Sequence, residues 1–312
     1  MLLAAAPATM RAQDYPTAPI RVLTGFPPGT TADVSMRIIG PRMTGLLGQS
    51  IVVENRPGAG SSIAAAAAAR APKDGYTLLF GSTANLLNGA LNAGLSFDFL
   101  KDLAPIALMT SAPTVLIVSP ETGVKSVAEL IQLAKSKPNA LSFASSGLTS
   151  TTHLTLEMFH ALANVKTTHI PYQGSPQAIA DMLAGRINGY FAPLSSALAH
   201  IRSGKVIGLA ITDARRFPLF PELPTMVEAG VPNFEAVLWF GLFAPAGTPP
   251  AVIERIALAA NDALKADEVV KALGAQAVTA LGSTPAEFRQ YVETENRRWL
   301  SIIATAGLKR EP

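Results

Sequence analysis

The chain has 312 residues, of which 49% are hydrophobic and 15% are charged, and it contains no cysteine. This apolar content excludes a disordered protein, and the length is sufficient for one large domain or two ordinary ones. The absence of cysteine excludes disulfide scaffolds, thiolate zinc sites, iron–sulfur clusters and thiol nucleophiles. The formal net charge is +3, and the basic residues are scattered, so the sequence indicates no nucleic-acid-binding surface and no nucleic-acid partner.

The first twelve residues are small and apolar, and they end at Arg11 and Ala12. They are similar to the end of a secretory signal peptide, although the basic start is missing and the apolar run is short. We therefore expect residues 1–12 to be the remnant of a signal peptide and the mature protein to be periplasmic. The alternative is an N-terminal extension of a cytoplasmic protein. Elsewhere the longest apolar stretches are far shorter than the roughly 20 residues that a membrane span needs.

Strand-like and helix-like segments alternate along the chain, which predicts an α/β fold with mainly parallel strands. The predicted strands are residues 20–26, 51–53, 76–80, 115–118, 141–144, 168–172, 206–211 and 236–243. The predicted helices include residues 34–47, 61–70, 126–135 and 153–162, and two more after residue 248. A further helix is expected to have Ser175 as its N-cap and Pro176 as its first residue. Capping boxes are expected at Ser126 with Glu129 and at Thr284 with Glu287.

Several predicted strands end in a short loop of Gly, Ser and Thr that leads into a helix. In open α/β sheets, ligands bind beyond the carboxyl ends of the strands, where helix N-termini offer unpaired N–H groups and partial positive charge. The segments without Lys or Arg are residues 24–36, 80–100, 142–165, 168–185 and 188–200. If these loops converge on an anion, amides and hydroxyls must bind it. Four or five such hydrogen bonds, at roughly 1.5–3 kcal/mol each, are sufficient for micromolar affinity.

Enzyme motifs are largely missing. The sequence has no G-x-S-x-G, Walker A or H-E-x-x-H motif, and Gly58-Ala59-Gly60 lacks the third glycine of a dinucleotide-binding loop. The four histidines are never paired at metal-ligand spacing, and no pair of carboxylates stands out as a general acid and base. The sequence therefore favours binding over catalysis, and we expect no enzymatic activity, cofactor or metal site.

A set of motifs occurs in a fixed order along the chain. These motifs are Gly25-Phe26-Pro27-Pro28-Gly29, Val53-Glu54-Asn55-Arg56-Pro57-Gly58-Ala59-Gly60, Asp74-Gly75-Tyr76-Thr77-Leu78-Leu79, His153-Leu154, Pro171-Tyr172 and Trp239-Phe240-Gly241-Leu242-Phe243. Together they resemble the Bug family, the extracytoplasmic solute receptors of tripartite tricarboxylate transporters. The resemblance extends from about Tyr15 to Gly307. One motif alone is not specific, whereas the ordered set is.

The resemblance implies an α/β fold of two lobes, the type II periplasmic binding protein or Venus flytrap, with mixed sheets and flanking helices. One lobe is expected to comprise residues 13–112 and 236–312, and the other residues 113–235, with the ligand in the cleft between them. Receptors of this family hold a carboxylate through loop amides, hydroxyls and waters rather than through an arginine, in agreement with the composition of the loops.

The positions that match the family give the expected ligand-binding residues. In the first lobe these are Pro27, Pro28, Gly29, Thr30, Thr31, Ser82, Thr83 and Ala84. In the second lobe they are Ser146, Gly147, Thr149, Ser150, Thr151, Tyr172, Gln173, Gly174, Phe191, Ala192 and Pro193. Thr30 and Thr149 replace glycines of the family pattern, and each adds a hydroxyl and restricts φ. Asp33 is expected to interact with the helix N-terminus rather than with the ligand.

The function that the resemblance implies is capture of a small carboxylate and its delivery to the membrane permease subunits of a tripartite tricarboxylate transporter. The receptor is expected to be a monomer. Many relatives have Asp where this chain has Ala192, so we expect an acid without an amino group. A dicarboxylate is the first expectation, and hydroxylated or aromatic acids are the alternatives.

Three other functions remain open. The first is a periplasmic sensor that presents its closed form to a two-component histidine kinase, which a sequence of this fold does not distinguish from a transport receptor. The second is an enzyme, against which the missing nucleophile and acid–base pair argue. The third is the ligand-binding half of a transcription regulator, against which the lack of a basic helix-turn-helix segment argues.

Overall fold

A computed structural model describes residues 15–305, apart from residues 93, 149 and 219. The expected signal peptide remnant, residues 1–12, lies outside this range. The strands are β1 (Ile20–Thr24), β2 (Ile51–Asn55), β3 (Thr77–Ser82), β4 (Leu103–Val118), β5 (Ser142–Ser145), β6 (Thr168–Pro171), β7 (Gly189–Pro193), β8 (Ile207–Ile211), β9 (Val237–Pro245) and β10 (Thr279–Ala280). The helices are α1 (Thr31–Leu47), α2 (Ser62–Ala69), α3 (Thr83–Leu91), α4 (Phe99–Asp102), α5 (Val127–Ser136), α6 (Thr151–Ala163), α7 (Ser175–Leu183), α8 (Leu194–Arg202), α9 (Pro250–Leu264), α10 (Asp267–Ala275) and α11 (Pro285–Thr305).

The strands form one mixed sheet in the order β2-β1-β3-β9-β4-β7-β5-β6, and β8 and β10 also pair with β4. β1 is parallel to β2 and β3, and β5 is parallel to β6 and β7. The long strand β4 joins the two parts of the sheet, because its residues 103–113 pair with β9 and its residues 114–118 pair with β7. We call the part with β1, β2, β3 and β9 the first lobe, and the part with β5, β6, β7 and β8 the second lobe.

Alternation along the strands gives each lobe a core on both faces of its sheet. In the first lobe, Val22 of β1 packs with α1 and α9, whereas its neighbour Leu23 packs with α2. In the second lobe, Phe191 of β7 packs with α5 and α6, whereas Tyr190 packs with α7 and α8. Helix α11 contributes to a core cluster of each lobe, through residues near its start and near its end.

The predicted α/β fold with two lobes is confirmed. The Ser126 hydroxyl accepts a hydrogen bond from the backbone N–H of Glu129, and Thr284 and Glu287 form the expected reciprocal pair. The prediction that Ser175 is an N-cap is wrong, because Gly174 holds that position and Ser175 is the first helical residue. Within the described residues, no helix has both the length and the apolarity that crossing a membrane requires.

Candidate ligand-binding site

A cavity of about 40 Å³ lies where the two lobes meet. Its lining comes from the β1–α1 loop and helix α1 of the first lobe, from strand β9, and from the starts of α6, α7 and α8 in the second lobe. The lining residues are Phe26, Thr30, Thr31, Ala32, Ser146, Ser150, Thr151, Thr152, Gly174, Ser175, Pro193, Leu238 and Phe240. None of these residues is charged, so no Lys or Arg from the described residues lines the cavity.

Four helices begin at this cavity, and each follows a strand directly along the chain. Helices α1, α6, α7 and α8 follow β1, β5, β6 and β7. The N-cap residues Thr30, Gly174 and Pro193 make no side-chain hydrogen bond to their own helices, whereas Ser150 caps α6. Amides in the first turn of a helix have no intrahelical acceptor, and the helix dipole makes this end partly positive. The cavity therefore lies at four helix ends that favour an anion.

Most hydroxyl groups around the cavity are hydrogen-bonded within the protein. Their partners are the Pro27 carbonyl for Thr30, Ser195 for Thr31, Thr152 for Ser146, the Gly147 carbonyl for Ser150, and Tyr190 for Ser175. Thr151 differs from them. Its side chain is buried, with 3% of the residue exposed, and its Oγ1 has no hydrogen-bond partner among the described residues. Because a buried hydroxyl is rarely unpaired, Thr151 indicates a site for a polar ligand.

The β1–α1 loop, residues 25–30, is held from behind by a network around Asp33. This buried carboxylate accepts hydrogen bonds from the backbone N–H of Gly29 at 2.9 Å, from Asn55 at 3.0 Å and from Arg37 at 2.9 Å. Asn55 also donates to the Phe26 carbonyl at 3.0 Å. Both ends of the loop are therefore fixed, and Asp33 contacts the loop and does not line the cavity.

The β5–α6 loop, residues 146–150, is held by uncharged groups. The Ser145 hydroxyl interacts with both the N–H of Gly147, at 3.2 Å, and its carbonyl, at 3.0 Å. The Ser150 hydroxyl donates to the same carbonyl at 2.7 Å. Gly147 has φ of +129°, which favours glycine, and a Cβ there would lie 3.4 Å from the Tyr172 carbonyl oxygen.

Histidines lie behind this loop. Nε2 of His169 lies 2.7 Å from the Ser145 Oγ, and its ring stacks on that of His153 with centroids 4.0 Å apart. Burial, with the neighbouring His153, lowers the pKa of His169 to about 4. Burial opposes ionisation of Glu157, but hydrogen bonds from His153 and His160 outweigh it and hold the pKa of this carboxyl at about 2. The β5–α6 loop is thus coupled to groups that titrate in acid.

The two lobes touch directly beside the cavity. The hydroxyls of Thr31, in the first turn of α1, and Ser195, in the first turn of α8, lie 2.6 Å apart. Pro27 also packs near Gly174, where a Cβ would lie 3.6 Å from the proline Cγ. The structure therefore has the lobes in contact, which corresponds to a closed arrangement of the cleft.

Seven of the residues expected from the sequence line the cavity. These are Thr30, Thr31, Ser146, Ser150, Thr151, Gly174 and Pro193. Pro27, Pro28, Gly29 and Gly147 lie in the same two loops without lining it. Thr149 lies outside the described residues.

The other expected residues are placed elsewhere by the structure. Ser82, Thr83 and Ala84 are buried at the start of α3, where Ser82 forms a capping box with Asn85. Phe191 and Ala192 pack in the core of the second lobe. Tyr172 donates its hydroxyl to Asp181, and Gln173 is exposed. None of these seven side chains lines the cavity.

Six lining residues were not expected from the sequence. They are Phe26, Ala32, Thr152, Ser175, Leu238 and Phe240. The first four are neighbours of expected residues. Leu238 and Phe240 lie two positions apart on β9 and therefore share a face of the sheet, whereas Trp239 between them packs under α11. This alternation indicates that Leu238 and Phe240 share a face, but not that this face meets the cavity.

Comparisons with known proteins give a consistent result. The profile of the family described as "Tripartite tricarboxylate transporter family receptor" matches residues 36–308. The protein BugT of Bordetella pertussis is 36% identical over 304 residues, which cover 97% of this chain and 93% of that protein. A UPF0065 protein of Pseudomonas sp. strain P51 is 36% identical over 294 residues, covering 94% of this chain and 88% of that protein.

Two solved structures with named ligands are also similar. The structure described as "R. palustris Rpa4515 with adipate" has a TM-score of 0.90 and 33% identity, and the match covers 94% of this chain and 99% of that one. MatC from Rhodopseudomonas palustris, with bound malate, has a TM-score of 0.87 and 30% identity, with 93% and 100% covered.

Proposed function

Because the chain belongs to the tripartite tricarboxylate transporter receptor family, we propose that it captures a small carboxylate between its lobes and delivers it to the membrane permease subunits of such a transporter. The proposal includes a periplasmic location, reached through a signal peptide of which residues 1–12 are the remnant. It also includes a monomeric receptor without enzymatic activity, with lobe boundaries near residues 112 and 235.

The observation that supports this proposal most directly is the convergence of four helix N-termini on a cavity without charged side chains. An anion there receives hydrogen bonds from amides that have no intrahelical acceptor. The unpaired Thr151 hydroxyl adds a donor within the same cavity. A planar carboxylate has two oxygens and several lone pairs, so it can use these donors together.

In this proposal, ligand binding is signalled to the permease by closure of the two lobes. The donors belong to both lobes, so a carboxylate bound between them stabilises the closed arrangement more than an open one. The population then shifts toward closure by the difference in affinity between the two states. The closed surface is the one that the permease is proposed to recognise.

The candidates for the type of carboxylate come from the sequence and from the ligands of similar structures. Adipate and malate, both dicarboxylates, are bound in two similar structures. Aromatic and hydroxylated acids are the other candidates from the sequence. An acid with an amino group is disfavoured, because none of the described residues that line the cavity carries a carboxylate to pair with it.

The proposal is tested by calorimetric titration of the purified protein with mono- and dicarboxylates of four to eight carbons. We expect micromolar binding of at least one acid. In Thr151→Val, which removes only the unpaired hydroxyl, affinity should fall about 10- to 100-fold, as for loss of one hydrogen bond to a charged group.

Thr155→Val is the matched control on the same helix. The Thr155 hydroxyl is buried and donates to the carbonyl of Thr151, and this residue does not line the cavity. Its replacement should leave the affinity within about threefold of that of the unmodified protein. If no acid in the panel produces heat or a shift in melting temperature, the proposed function is wrong.

A further inference from the structure

The cavity lining combines two kinds of surface. One kind consists of helix starts, with first-turn amides and hydroxyls. The other kind consists of three hydrophobic side chains, Phe26, Leu238 and Phe240. Phe240 is almost fully buried, and its ring stacks on that of Phe80 with centroids 5.4 Å apart.

The hydrophobic part offers no backbone donors to a ligand. Phe240 belongs to the central strand β9 and is paired with Ser82 of β3 on one side and Thr110 of β4 on the other. Leu238 is paired with Ala112. The polar backbone groups in this region are therefore used within the sheet, and the side chains present only hydrocarbon to the cavity.

The polar part has few free side-chain donors. Among the described residues that line the cavity, every hydroxyl other than the Thr151 Oγ1 is hydrogen-bonded within the protein. The remaining donors are first-turn amides of the four helices. A second carboxylate placed against Leu238 and Phe240 would be buried without donors, which is strongly unfavourable for a charge.

The small volume of the cavity limits the size of the solute. About 40 Å³ corresponds to the space of roughly three water molecules. A neighbouring cavity of about 40 Å³ includes Ser195, Ser196 and Gln276. Thr31 lines both cavities, and its hydroxyl is hydrogen-bonded to Ser195 of the second one. In this closed arrangement, a second carboxylate would have to extend past that hydrogen bond to reach Ser196 and Gln276.

We infer that the solute is a small monocarboxylate with an apolar body. Its carboxylate lies at the starts of α1, α6, α7 and α8, and its hydrocarbon part contacts Phe26, Leu238 and Phe240. This inference rests on the proposed function and selects within it, because it replaces the dicarboxylate expected from the sequence with an acid of a single charge.

The test compares acids that differ only at one end. Butyrate and succinate form one pair and hexanoate and adipate form another, each titrated calorimetrically into the full-length protein. We expect the monocarboxylate of at least one pair to bind at least about tenfold more tightly than its dicarboxylate, because only the latter buries an unpaired charge. Equal or tighter binding of the dicarboxylate in both pairs overturns the inference and leaves the proposed function intact. If neither these acids nor any other carboxylate binds, both the inference and the proposed function are wrong.

A pair of variants tests whether the hydrophobic part of the lining causes the preference for the monocarboxylate. Leu238→Gln places an amide in the hydrophobic part of the lining, and we expect the preference for the monocarboxylate to fall about fivefold. Val237→Gln is the control, because the adjacent half-buried residue points to the other side of the strand. If Leu238→Gln is poorly folded by circular dichroism, the partly exposed Phe26→Gln replaces it. An unchanged preference in the folded variant overturns the inference.

Discussion

The two loops that contribute to the cavity from opposite lobes are built alike but are held by different chemistry. The β1–α1 loop and the β5–α6 loop each follow a strand flanked by parallel neighbours, and each leads into a helix whose first turn lines the cavity. The first is fixed by the Asp33 carboxylate with Asn55 and Arg37. The second is fixed by the hydroxyls of Ser145 and Ser150.

The difference shows where charge is tolerated in a site for anions. Asp33 is buried behind its loop and accepts hydrogen bonds from Gly29, Arg37 and Asn55. These donors compensate its negative charge, which therefore contributes little to the potential in the cavity. The described hydrogen bonds that hold the second loop are made by the neutral hydroxyls of Ser145 and Ser150. Both solutions leave the helix amides as the main source of positive potential toward the ligand.

Replacement of the central residue of each network should give the largest difference between the loops. Asp33→Ala leaves the Gly29 N–H, the Asn55 amide and the Arg37 guanidinium without their acceptor, so we expect a loss of about 2–4 kcal/mol in the free energy of unfolding. Ser145→Ala removes only neutral hydrogen bonds and should cost about 1 kcal/mol. Urea denaturation of both variants provides the comparison.

Arg37→Gln is the control for the charged network. The Arg37 side chain is 53% exposed, so its ion pair with Asp33 should contribute less than about 1 kcal/mol. The proposed difference between the loops would be contradicted if Ser145→Ala were as destabilising as Asp33→Ala. It would also be contradicted if Arg37→Gln accounted for the whole effect of Asp33→Ala.

A second difference is that the helix after the first loop makes a hydrogen bond to the opposite lobe beside the cavity, through Thr31 and Ser195. The Thr31–Ser195 hydrogen bond joins the two lobes. We expect it to break when they open, so Ser195→Ala should speed ligand release about 3- to 10-fold, as for loss of roughly 0.7–1.4 kcal/mol. Association should change little, because it precedes closure. Stopped-flow measurement of both rates, with an acid that binds in the titration, tests this prediction.

Ser196→Ala is the matched control for the loss of the Thr31–Ser195 hydrogen bond. Ser196 is the next residue of α8, is also half-buried, and lines the same neighbouring cavity. Its replacement should leave the release rate unchanged. A slower association rate in Ser195→Ala, with unchanged release, would mean that the hydroxyl pair acts before closure rather than after it.

Much of the polar half of the site could be predicted from the sequence. Thr30, Ser150 and Thr151 stand between a strand and a helix, and the segments around them contain no cation, which indicates helix ends that bind an anion. The same reasoning selected Ser82, whose hydroxyl the structure uses for a capping box with Asn85. The spacing of Ser82 and Asn85 was a signal for that structural role.

The hydrophobic half could not be predicted, since it depends on how distant strands pair. Leu238 and Phe240 are indistinguishable from core residues of any buried strand, and only the register of β9 brings them to the cavity. Strand β4 was predicted from residue 115 onward, but it begins at Leu103. Pro105 lies at a shift of its register with β9, and prolines within strands are tolerated at such irregularities.

The smallest expected effect concerns the titratable groups behind the β5–α6 loop. The pKa of His169 is lowered to about 4, below its ordinary value of about 6.5, so the unfolded chain binds more protons between these values. Stability should therefore decrease as the pH falls from about 6.5 to 4, although partial solvent exposure and the nearby Glu157 reduce the effect. Between pH 7 and 5 the melting temperature should fall roughly 1–3 °C more in the unmodified protein than in His169→Gln. His200→Gln, on α8, should behave like the unmodified protein. Equal losses of melting temperature in all three proteins would mean that His169, behind the β5–α6 loop, does not cause the loss of stability in acid.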